Sequence, residues 1–317
     1  MASLHRGFRE DFRACDVRLT DGAMAEMELN PSVIFFTDGL PKEPLASFAL
    51  RLEDLGYESL WVPEFFGREP FSTVAYLLAR TTRLKIATGI ANVYSRDALI
   101  AAQARQTLGE FSEGRFILGL GVSHPPMAEA HGLEWIPAVP KMRAYLDTIE
   151  STQVQSPPPS ESVPIWLAAH GPGLLRLAAA RADGANTYLL PPAHTERARE
   201  ILGPDKRLNV VVPSCLCEDA DRARQIGRKA LGIYLPLPAY QKQWLKWGFT
   251  ESDFQEGGSD RLIDRLVAWG SEEQIRKRML EHRAAGASHI AISPLSAEGK
   301  GPQPPWKLLE ALAPQAT

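Results

Sequence analysis

An amphipathic helical pattern, a glycine and a short apolar segment follow one another repeatedly along the chain. The series occurs in "LEDLGYESLWV", "LGEFSEGRFILGLG", "ARADGANTYLL" and "HRAAGASHIAIS", and "LARTTRLKIATG" has it without the glycine. A glycine just past a helix is typical of a left-handed helix cap. The segments that follow are too uniformly apolar for strands with one exposed face, so we expect strands buried on both faces.

Eight such strands are predicted, separated by helices. They are Val33–Thr37, Ser59–Pro63, Lys85–Gly89, Phe116–Gly119, Ile165–Ala168, Asn186–Leu190, Asn209–Pro213 and His289–Ser293. Strand–helix alternation requires parallel pairing, and eight units in about 260 residues indicate a (β/α)8 TIM barrel. A doubly wound dinucleotide-binding sheet is the alternative, but it needs G-x-G-x-x-G after the first strand, and "FFTDGLPKEP" lacks it.

Two insertions interrupt the repeat, and one segment precedes it. Residues 123–140, "SHPPMAEAHGLEWIPAVP", are predicted as a proline-rich loop after strand four, and residues 231–260 as a longer insertion after strand seven. Such loops often shape a pocket or lid. The aromatic residues of the second insertion either pack as a satellite core or cover a planar ligand; they are Tyr234, Tyr240, Trp244, Trp247 and Phe249.

The domain prediction is a single barrel over residues 27–317. Residues 1–26 have neither periodicity nor a place in the repeat, so we expect an N-terminal arm, with Met27 as an alternative start. The sequence leaves open whether that arm is ordered.

Composition argues against several partners. The chain has 317 residues, is 44% hydrophobic and 23% charged, and carries a formal charge of −3. This balance gives no field suited to nucleic acid. No apolar stretch reaches the roughly 18 residues of a membrane span, and the charged N-terminus lacks the apolar centre of a signal peptide. We therefore expect a cytoplasmic protein that binds neither nucleic acid nor membrane.

Three histidines follow neighbouring predicted strands. His124, His170 and His194 come just beyond strands four, five and six, at the end of the barrel where active sites lie. Each alone is more often a hydrogen-bonded loop residue, but histidine is also the common acid or base at neutral pH. No Asp or Glu stands beside them to orient an imidazole on a metal, so we expect no metal site.

A glycine-rich turn, "HGPG" at residues 170–173, separates strand five from a helix beginning near Leu174. Gly171 and Pro172 fit the cap and first-turn positions of that helix. The N–H groups of a helix N-terminus, unobstructed by side chains at Gly171 and Gly173, favour an anion. The expected anion is a cofactor's phosphate; a plain tight turn is the alternative.

The stretch "KIATGIANVYSRDALIAAQ", residues 85–103, ends an apolar strand at Gly89 and continues through a polar loop, Asn92–Asp97, into a helix. Glycine at this point indicates a bulge or a close approach of backbone.

Together these stretches resemble the bacterial luciferase-like superfamily, specifically its branch that uses coenzyme F420. The matching pieces are "GYESLWVPEFFGREPFS", "TTRLKIATGIANVYSRDALIAAQARQTLGEFSEGRFILGLGVSHPP", "LAAHGPGLLRLAAARADGANTYLL" and "GGSDRLIDRLVAWGSEEQIRKRMLEHRAAGASHIAIS". They cover nearly everything from about residue 32 to residue 295.

The resemblance implies a barrel that is commonly dimeric through helices two and three, with a deazaflavin or flavin ring over the C-terminal end of the strands. It maps a non-prolyl cis peptide onto Gly89–Ile90. The implied cofactor contacts are Gly89, Ile90, Ala91 and Asn92 on one side of the ring, Gly121 and Ser123 on the other, and Ala169, His170, Gly171, Pro172, Gly173 and Leu174 at the phosphate.

The chain departs from relatives at several of these positions. Glu64 and Phe65 replace the Asp-His pair of the sugar-phosphate dehydrogenases, and His124 stands where they carry a catalytic Glu. Their substrate chemistry is therefore not expected here. The phosphate loop of closer relatives reads Leu-Gly-Pro-Lys. His170 replaces that Leu and Gly173 the Lys, so phosphate affinity falls unless a protonated His170 compensates.

The expected function is hydride transfer between coenzyme F420 and a small organic substrate, without a metal. His124 is the first candidate for general acid or base, Glu64 the second, and His194 and His170 follow. A salt bridge at the end of the barrel is an equal alternative for Glu64. An FMN-dependent monooxygenase and a cofactor-binding protein without turnover are the other two hypotheses.

Overall fold

The computed structural model describes residues 29–298 and 303–314. The predicted arm, residues 1–26, and the alternative start at Met27 lie outside the described residues.

Eight parallel strands close into a barrel, which confirms the predicted (β/α)8 fold. The strands of the described chain are β1 (Ser32–Ile34), β2 (Ser59–Val62), β3 (Lys85–Thr88), β4 (Ala91–Asn92), β5 (Phe116–Gly121), β6 (Ile165–Ala168), β7 (Gly184–Tyr188), β8 (Arg207–Leu216), β9 (Ala268–Gly270) and β10 (His289–Pro294). The barrel order is β10-β1-β2-β3-β5-β6-β7-β8, and β8 pairs with β10 to close it. The short strands β4 and β9 pair with β5 and β8.

Helices surround the barrel. They are α1 (Lys42–Asp54), α2 (Pro70–Arg80), α3 (Ala98–Phe111), α4 (Pro125–Ala130), α5 (Ala138–Ser151), α6 (Pro172–Arg181), α7 (Pro192–Leu202), α8 (Ala220–Leu231), α9 (Pro238–Lys246), α10 (Asp260–Leu266), α11 (Glu272–Ala284) and α12 (Trp306–Ala311), with a 3-10 turn at Glu251–Phe254. Among the described residues, no helix combines the length and apolarity needed to cross a membrane.

The predicted helix caps are confirmed at three glycines and wrong at a fourth. Gly56, Gly114 and Gly286 follow helices with φ of 82°, 84° and 100°, the left-handed region that glycine adopts without a steric penalty. Gly184 is instead the first residue of β7. A Cβ there would lie 2.7 Å from the Arg207 carbonyl oxygen and 3.0 Å from the Trp166 ring, so the glycine allows close strand packing.

The barrel interior is filled by large side chains. Trp61 and Trp166 lie with ring centroids 5.2 Å apart, packed with Ala87, Ile117 and Val211. The indole of Trp61 donates to Ser59 Oγ at 2.9 Å, so its buried N–H is satisfied. This interior leaves the carboxyl ends of the strands, called the rim below, as the open end of the barrel.

The two predicted insertions are more regular than expected. Residues 123–140 contain α4 and the start of α5, because Pro125 and Pro126 occupy the first helical positions, where a missing N–H costs nothing. The loop prediction for this segment is therefore partly wrong.

The second insertion, residues 231–260, forms a satellite core. Tyr240, Trp244 and Phe249 are 4%, 0% and 5% exposed and belong to an apolar cluster with Leu262 and Ile263. Of the two readings left open by the sequence, inward packing is the one observed for these three rings.

Candidate active site

Two of the three predicted rim histidines flank one tyrosine. The Tyr240 ring, carried on α9, lies 5.6 Å from the ring of His124 and 5.1 Å from that of His170, centroid to centroid. His124 directly precedes α4, and His170 follows β6. Both imidazoles are half-buried, and among the described residues neither ring has a hydrogen bond.

The third histidine is buried beneath the glycine turn, residues 170–173. His194 lies on α7 and is 3% exposed. Its Nε2 is 2.7 Å from the carbonyl oxygen of His170, to which it donates, while its Nδ1 is buried without a partner. The ring therefore fixes the backbone at His170, and this geometry suits a positioning residue better than a catalytic one.

A row of tyrosines continues from Tyr240 across the rim. Tyr234 lies 5.2 Å from Tyr240 and 5.2 Å from Tyr188, and Tyr188 is hydrogen-bonded to Tyr234 and Ser293. Burial raises the pKa of Tyr188 and Tyr240 well above 10. These phenols therefore stay protonated and act as hydrogen-bonding groups rather than charges.

Burial keeps the histidines neutral at pH 7. It lowers the pKa of His124, and it lowers the pKa of His170 to about 3, where the neighbouring His194 and His124 add to the effect. Burial also lowers the pKa of His194 to about 4. A protonated His170 therefore does not replace the charge missing from the turn, one of the two alternatives that the sequence left open.

The glycine turn, residues 170–173, ends in the predicted cap. Gly171 is the N-cap of α6 and Pro172 its first residue, two positions before the expected start near Leu174. The N–H groups of Gly171, Gly173 and Leu174 have no backbone acceptor among the described residues. Such free donors are what an anion needs.

Both glycines of the turn face other segments. A Cβ on Gly173 would lie 2.9 Å from Val139 Cγ2, so α5 covers that side. A Cβ on Gly171 would lie 3.4 Å from Gln243 Nε2, which belongs to α9. Any anion bound by the turn would therefore meet side chains from both insertions.

The end of β3 is joined to the end of β5. The Gly89–Ile90 peptide is cis, at the position that the family resemblance implies. Gly89 approaches Trp61 so closely that a Cβ would lie 2.9 Å from the Trp61 Cβ, which confirms the predicted close approach. A Cβ on Gly121 would lie 2.5 Å from Ile90 Cγ1, so the Ile90 side chain occupies the space that a side chain on Gly121 would need.

Glu64 forms a buried salt bridge at this rim. Its carboxylate binds Arg96 in a bidentate manner, at 2.8 and 2.9 Å, and both side chains are 10% exposed. The same carboxylate accepts the N–H of Asn92 at 2.6 Å. The salt-bridge alternative for Glu64 is thus the geometry observed. Arg96 is not identified by the sequence pattern, although an Arg four residues after Asn92 in a rim loop is a visible signal.

Asn92 has unused hydrogen-bonding capacity. Its Oδ1 accepts the N–H of Tyr94 at 3.0 Å, whereas its Nδ2 is buried without a partner. A buried amide donor without a partner is uncommon and indicates a missing acceptor.

Two rim residues adopt backbone conformations that their side chains disfavour. Ser123 and Leu189 have φ of 57° and 55°, shortly after β5 and β7. The carbonyl of Leu189 accepts the indole N–H of Trp244 at 2.8 Å, so the satellite core holds this part of the rim in place. Among residues 29–298 and 303–314, no group of three or more His, Cys, Asp and Glu side chains is arranged to hold a metal ion.

The fold is a (β/α)8 barrel, and the candidate site lies at the carboxyl ends of its strands. The chain belongs to the luciferase-like monooxygenase family, whose model matches residues 36–289.

Similar proteins agree with this assignment. A 5,10-methylenetetrahydromethanopterin reductase of Archaeoglobus fulgidus is 24% identical over 315 residues, which cover 84% of this chain and 94% of the relative. The solved F420-dependent tetrahydromethanopterin reductase of Methanopyrus kandleri has a TM-score of 0.67 at 16% identity, covering 90% of this chain and 98% of its own. The FMN complex of the oxygenating constituent of 3,6-diketocamphane monooxygenase, from Pseudomonas putida, has a TM-score of 0.67 at 15% identity, covering 90% and 96%. The chain is an oxidoreductase, as its family and its relatives are.

The buried histidines predict how stability depends on pH. Burial lowers the pKa of His282, which is 4% exposed and lies 2.8 Å from Thr195 Oγ1 through Nδ1, to about 3. Below pH 6.5 the histidine is protonated in the unfolded state but not in the native state. The free energy of unfolding that it contributes is therefore fully present above pH 6.5 and is lost as the pH falls toward 3. Each such histidine contributes up to about 1.4 kcal/mol per pH unit.

Urea unfolding at pH 7 and pH 5 measures this effect, in a range where carboxylates stay ionised. Between pH 7 and pH 5, the free energy of unfolding of the His282→Asn variant should fall by about 2 kcal/mol less than that of the unmodified chain. His131→Asn, which changes an exposed loop histidine, should keep the original difference. An unchanged pH dependence in His282→Asn would contradict the assignment.

Proposed function

We propose that this chain is a coenzyme F420-dependent oxidoreductase that transfers a hydride between the deazaflavin and a small organic substrate. The observation that carries the proposal is the unpartnered Asn92 amide beside the Gly89–Ile90 cis peptide, on the same rim as a glycine turn with free N–H groups. The names of the methanopterin reductases among its relatives support the choice of coenzyme.

The coenzyme would lie between two groups of residues. Gly89, Ile90, Ala91 and Asn92 would contact one side of the ring and Gly121 and Ser123 the other, while Ala169, His170, Gly171, Pro172, Gly173 and Leu174 would hold the phosphate. When bound, the coenzyme supplies the hydride chemistry. The chain supplies orientation, exclusion of water and proton transfer.

His124 is the proposed general acid or base. It stands at the end of β5, half-buried and without a hydrogen bond to its ring, and burial lowers its pKa so that the neutral ring can accept a proton at pH 7. Glu64 and His194 are better described as positioning residues, because Glu64 binds the Asn92 N–H and His194 binds the His170 carbonyl.

An FMN-dependent monooxygenase is the second candidate. It is favoured by the FMN complex of the diketocamphane enzyme, whose fold superposes on this chain as well as that of the F420-dependent reductase does. The contacts proposed above serve either ring, so the two candidates differ in cofactor and in reactivity toward oxygen rather than in the residues involved.

We also propose a homodimer through α2 and α3. The outer face of α3 exposes large apolar side chains, with Leu99, Ile100 and Phe111 at 44%, 51% and 70% exposure. Burying such a face is a usual reason for self-association. A small molecule is the expected substrate, and no nucleic-acid or membrane partner is proposed.

The cofactor is tested by titrating purified protein with F420 and, separately, with FMN while following cofactor fluorescence. Micromolar binding of F420 with negligible FMN binding is expected, because the relatives named as methanopterin reductases support F420 as the coenzyme. A clear preference for FMN, followed by oxygen consumption with the reduced flavin, would favour the monooxygenase instead. Binding of neither cofactor would refute both.

Replacing His124 tests its role. His124→Ala should keep its affinity for the cofactor and lose turnover by a factor of about 10²–10⁴, the usual contribution of a general acid or base. His131→Ala, from the same insertion but exposed, should be unaffected. Normal turnover in His124→Ala would remove the residue from the mechanism.

The dimer is tested with Ile100→Glu, which places a charge on the exposed α3 face. Light scattering during size-exclusion chromatography should show a dimer for the unmodified chain and a monomer for the variant. Glu110→Gln, near the end of the same helix, serves as the control for a changed charge. A monomeric unmodified chain would rule out the proposed interface.

A further inference from the structure

One face of α9 lies on the glycine turn. Tyr240, Gln243 and Trp247 are spaced three and four residues apart, so they share a side of the helix. Tyr240 contacts the His170 ring, Gln243 Nε2 lies 3.4 Å from the place of a Cβ on Gly171, and the Trp247 ring lies 5.7 Å from His194. The insertion and the turn therefore form one assembly.

The satellite core sets the position of this face. Trp244 is fully buried, and its indole donates to the Leu189 carbonyl. Gln241 Nε2 donates to the Leu235 carbonyl at 2.7 Å, which ties α9 to the segment before it. Gln243 is thus held over the turn by contacts that do not depend on any ligand.

The turn itself has few groups that match an anion. Gly173 carries no side chain, and His170 is neutral at pH 7 since burial lowers its pKa to about 3. Val139 covers the Gly173 side. The turn therefore offers only backbone N–H groups to a phosphate. Further donors would come from α9, which lies against Gly171.

The contact between α9 and the turn holds unmet hydrogen-bonding capacity. His194, 3% exposed, touches the turn through Nε2, and the Trp247 ring that lies against it has a buried Nε1 donor without a partner. The half-buried Gln243 amide forms no hydrogen bond among the described residues. Unpaired polar atoms gathered at one contact indicate that a polar ligand belongs beside them.

We propose that Gln243 donates its side-chain amide to the cofactor phosphate at Gly171, beside the free backbone N–H groups of the turn. This inference rests on the proposed function, because it assigns a specificity-determining residue to the phosphate site of that cofactor. The phosphate site would then consist of the glycine turn of the barrel and Gln243 of the insertion after β8.

The test compares ligands with and without the phosphate. F420 and its deazaflavin core form the first pair, and this core lacks the phosphate together with the side chain attached beyond it. FMN and riboflavin differ only in the phosphate and form the second pair, which applies if the chain binds the flavin. The ratio of the two dissociation constants, from fluorescence titration, measures recognition of the phosphate separately from recognition of the ring.

Gln243→Ala should lower the preference for the phosphorylated ligand about tenfold, the usual effect of losing a hydrogen bond to a charged group. Gln243→Glu, nearly isosteric but anionic, should lower it further. Binding of the dephosphorylated ligand should change less than about twofold. Lys242→Ala, an exposed neighbour on the same helix, is the control and should keep the original ratio.

The inference would be overturned if both Gln243 variants kept the ratio of dissociation constants measured for the unmodified chain. So would an equal loss of both ligands, which would mean that Gln243 only maintains the packing of α9; melting temperatures of the ligand-free variants detect that case directly. An unmodified chain that binds no ligand of either pair refutes the proposed function itself, so the two failures are distinguishable.

Discussion

Two tryptophan rings inside the barrel constrain the strands around them and the rim at the carboxyl ends of those strands. Trp61 and Trp166 occupy the space between the strands, and the backbone around them must come close. Gly89 and Gly184 stand where a Cβ would lie 2.9 and 3.0 Å from Trp61 and Trp166. Because the interior is full, the candidate site lies at the rim, and Gly89, directly after β3, brings bare backbone to it.

One part of the rim is fixed by satisfied hydrogen bonds, and another part has polar atoms without partners. The fixed part uses buried bonds, such as Glu64 with Arg96 and His194 with the His170 carbonyl. The other part includes the Asn92 side-chain amide, whose Nδ2 has no partner. Neutral histidines and protonated tyrosines leave this part of the rim with few fixed charges, which is consistent with the proposed hydride transfer.

Periodicity was enough to predict the barrel, since each strand is apolar over several residues and each helix ends at a recognisable point. It placed the eight barrel strands, with shifts such as the end of β1 at Ile34 instead of Thr37. Gly184 was assigned to a cap because sequence cannot distinguish a glycine that ends a helix from one that admits a neighbouring ring. The short helix after Pro125 was missed although two consecutive prolines favour a helix start.

The candidate site was predicted by strand position, which located the rim but not the direction of side chains. His194 follows its strand like the other two histidines, yet its ring points at a carbonyl. Arg96 and Gln243 were not identified, because both act through contacts between segments distant in sequence, and no local pattern records those contacts.

The satellite core gives the insertion after β8 a degree of independence. Its apolar cluster is separate from the main core and meets the barrel through Tyr188, Leu189, Leu190 and Leu295, with a hydrogen bond from Trp244 to Leu189. A segment with a core of its own gains or loses order as a cooperative unit. A ligand that binds against α9 therefore stabilises the whole segment. Local unfolding of the insertion should become rarer as more of the rim is occupied by ligand.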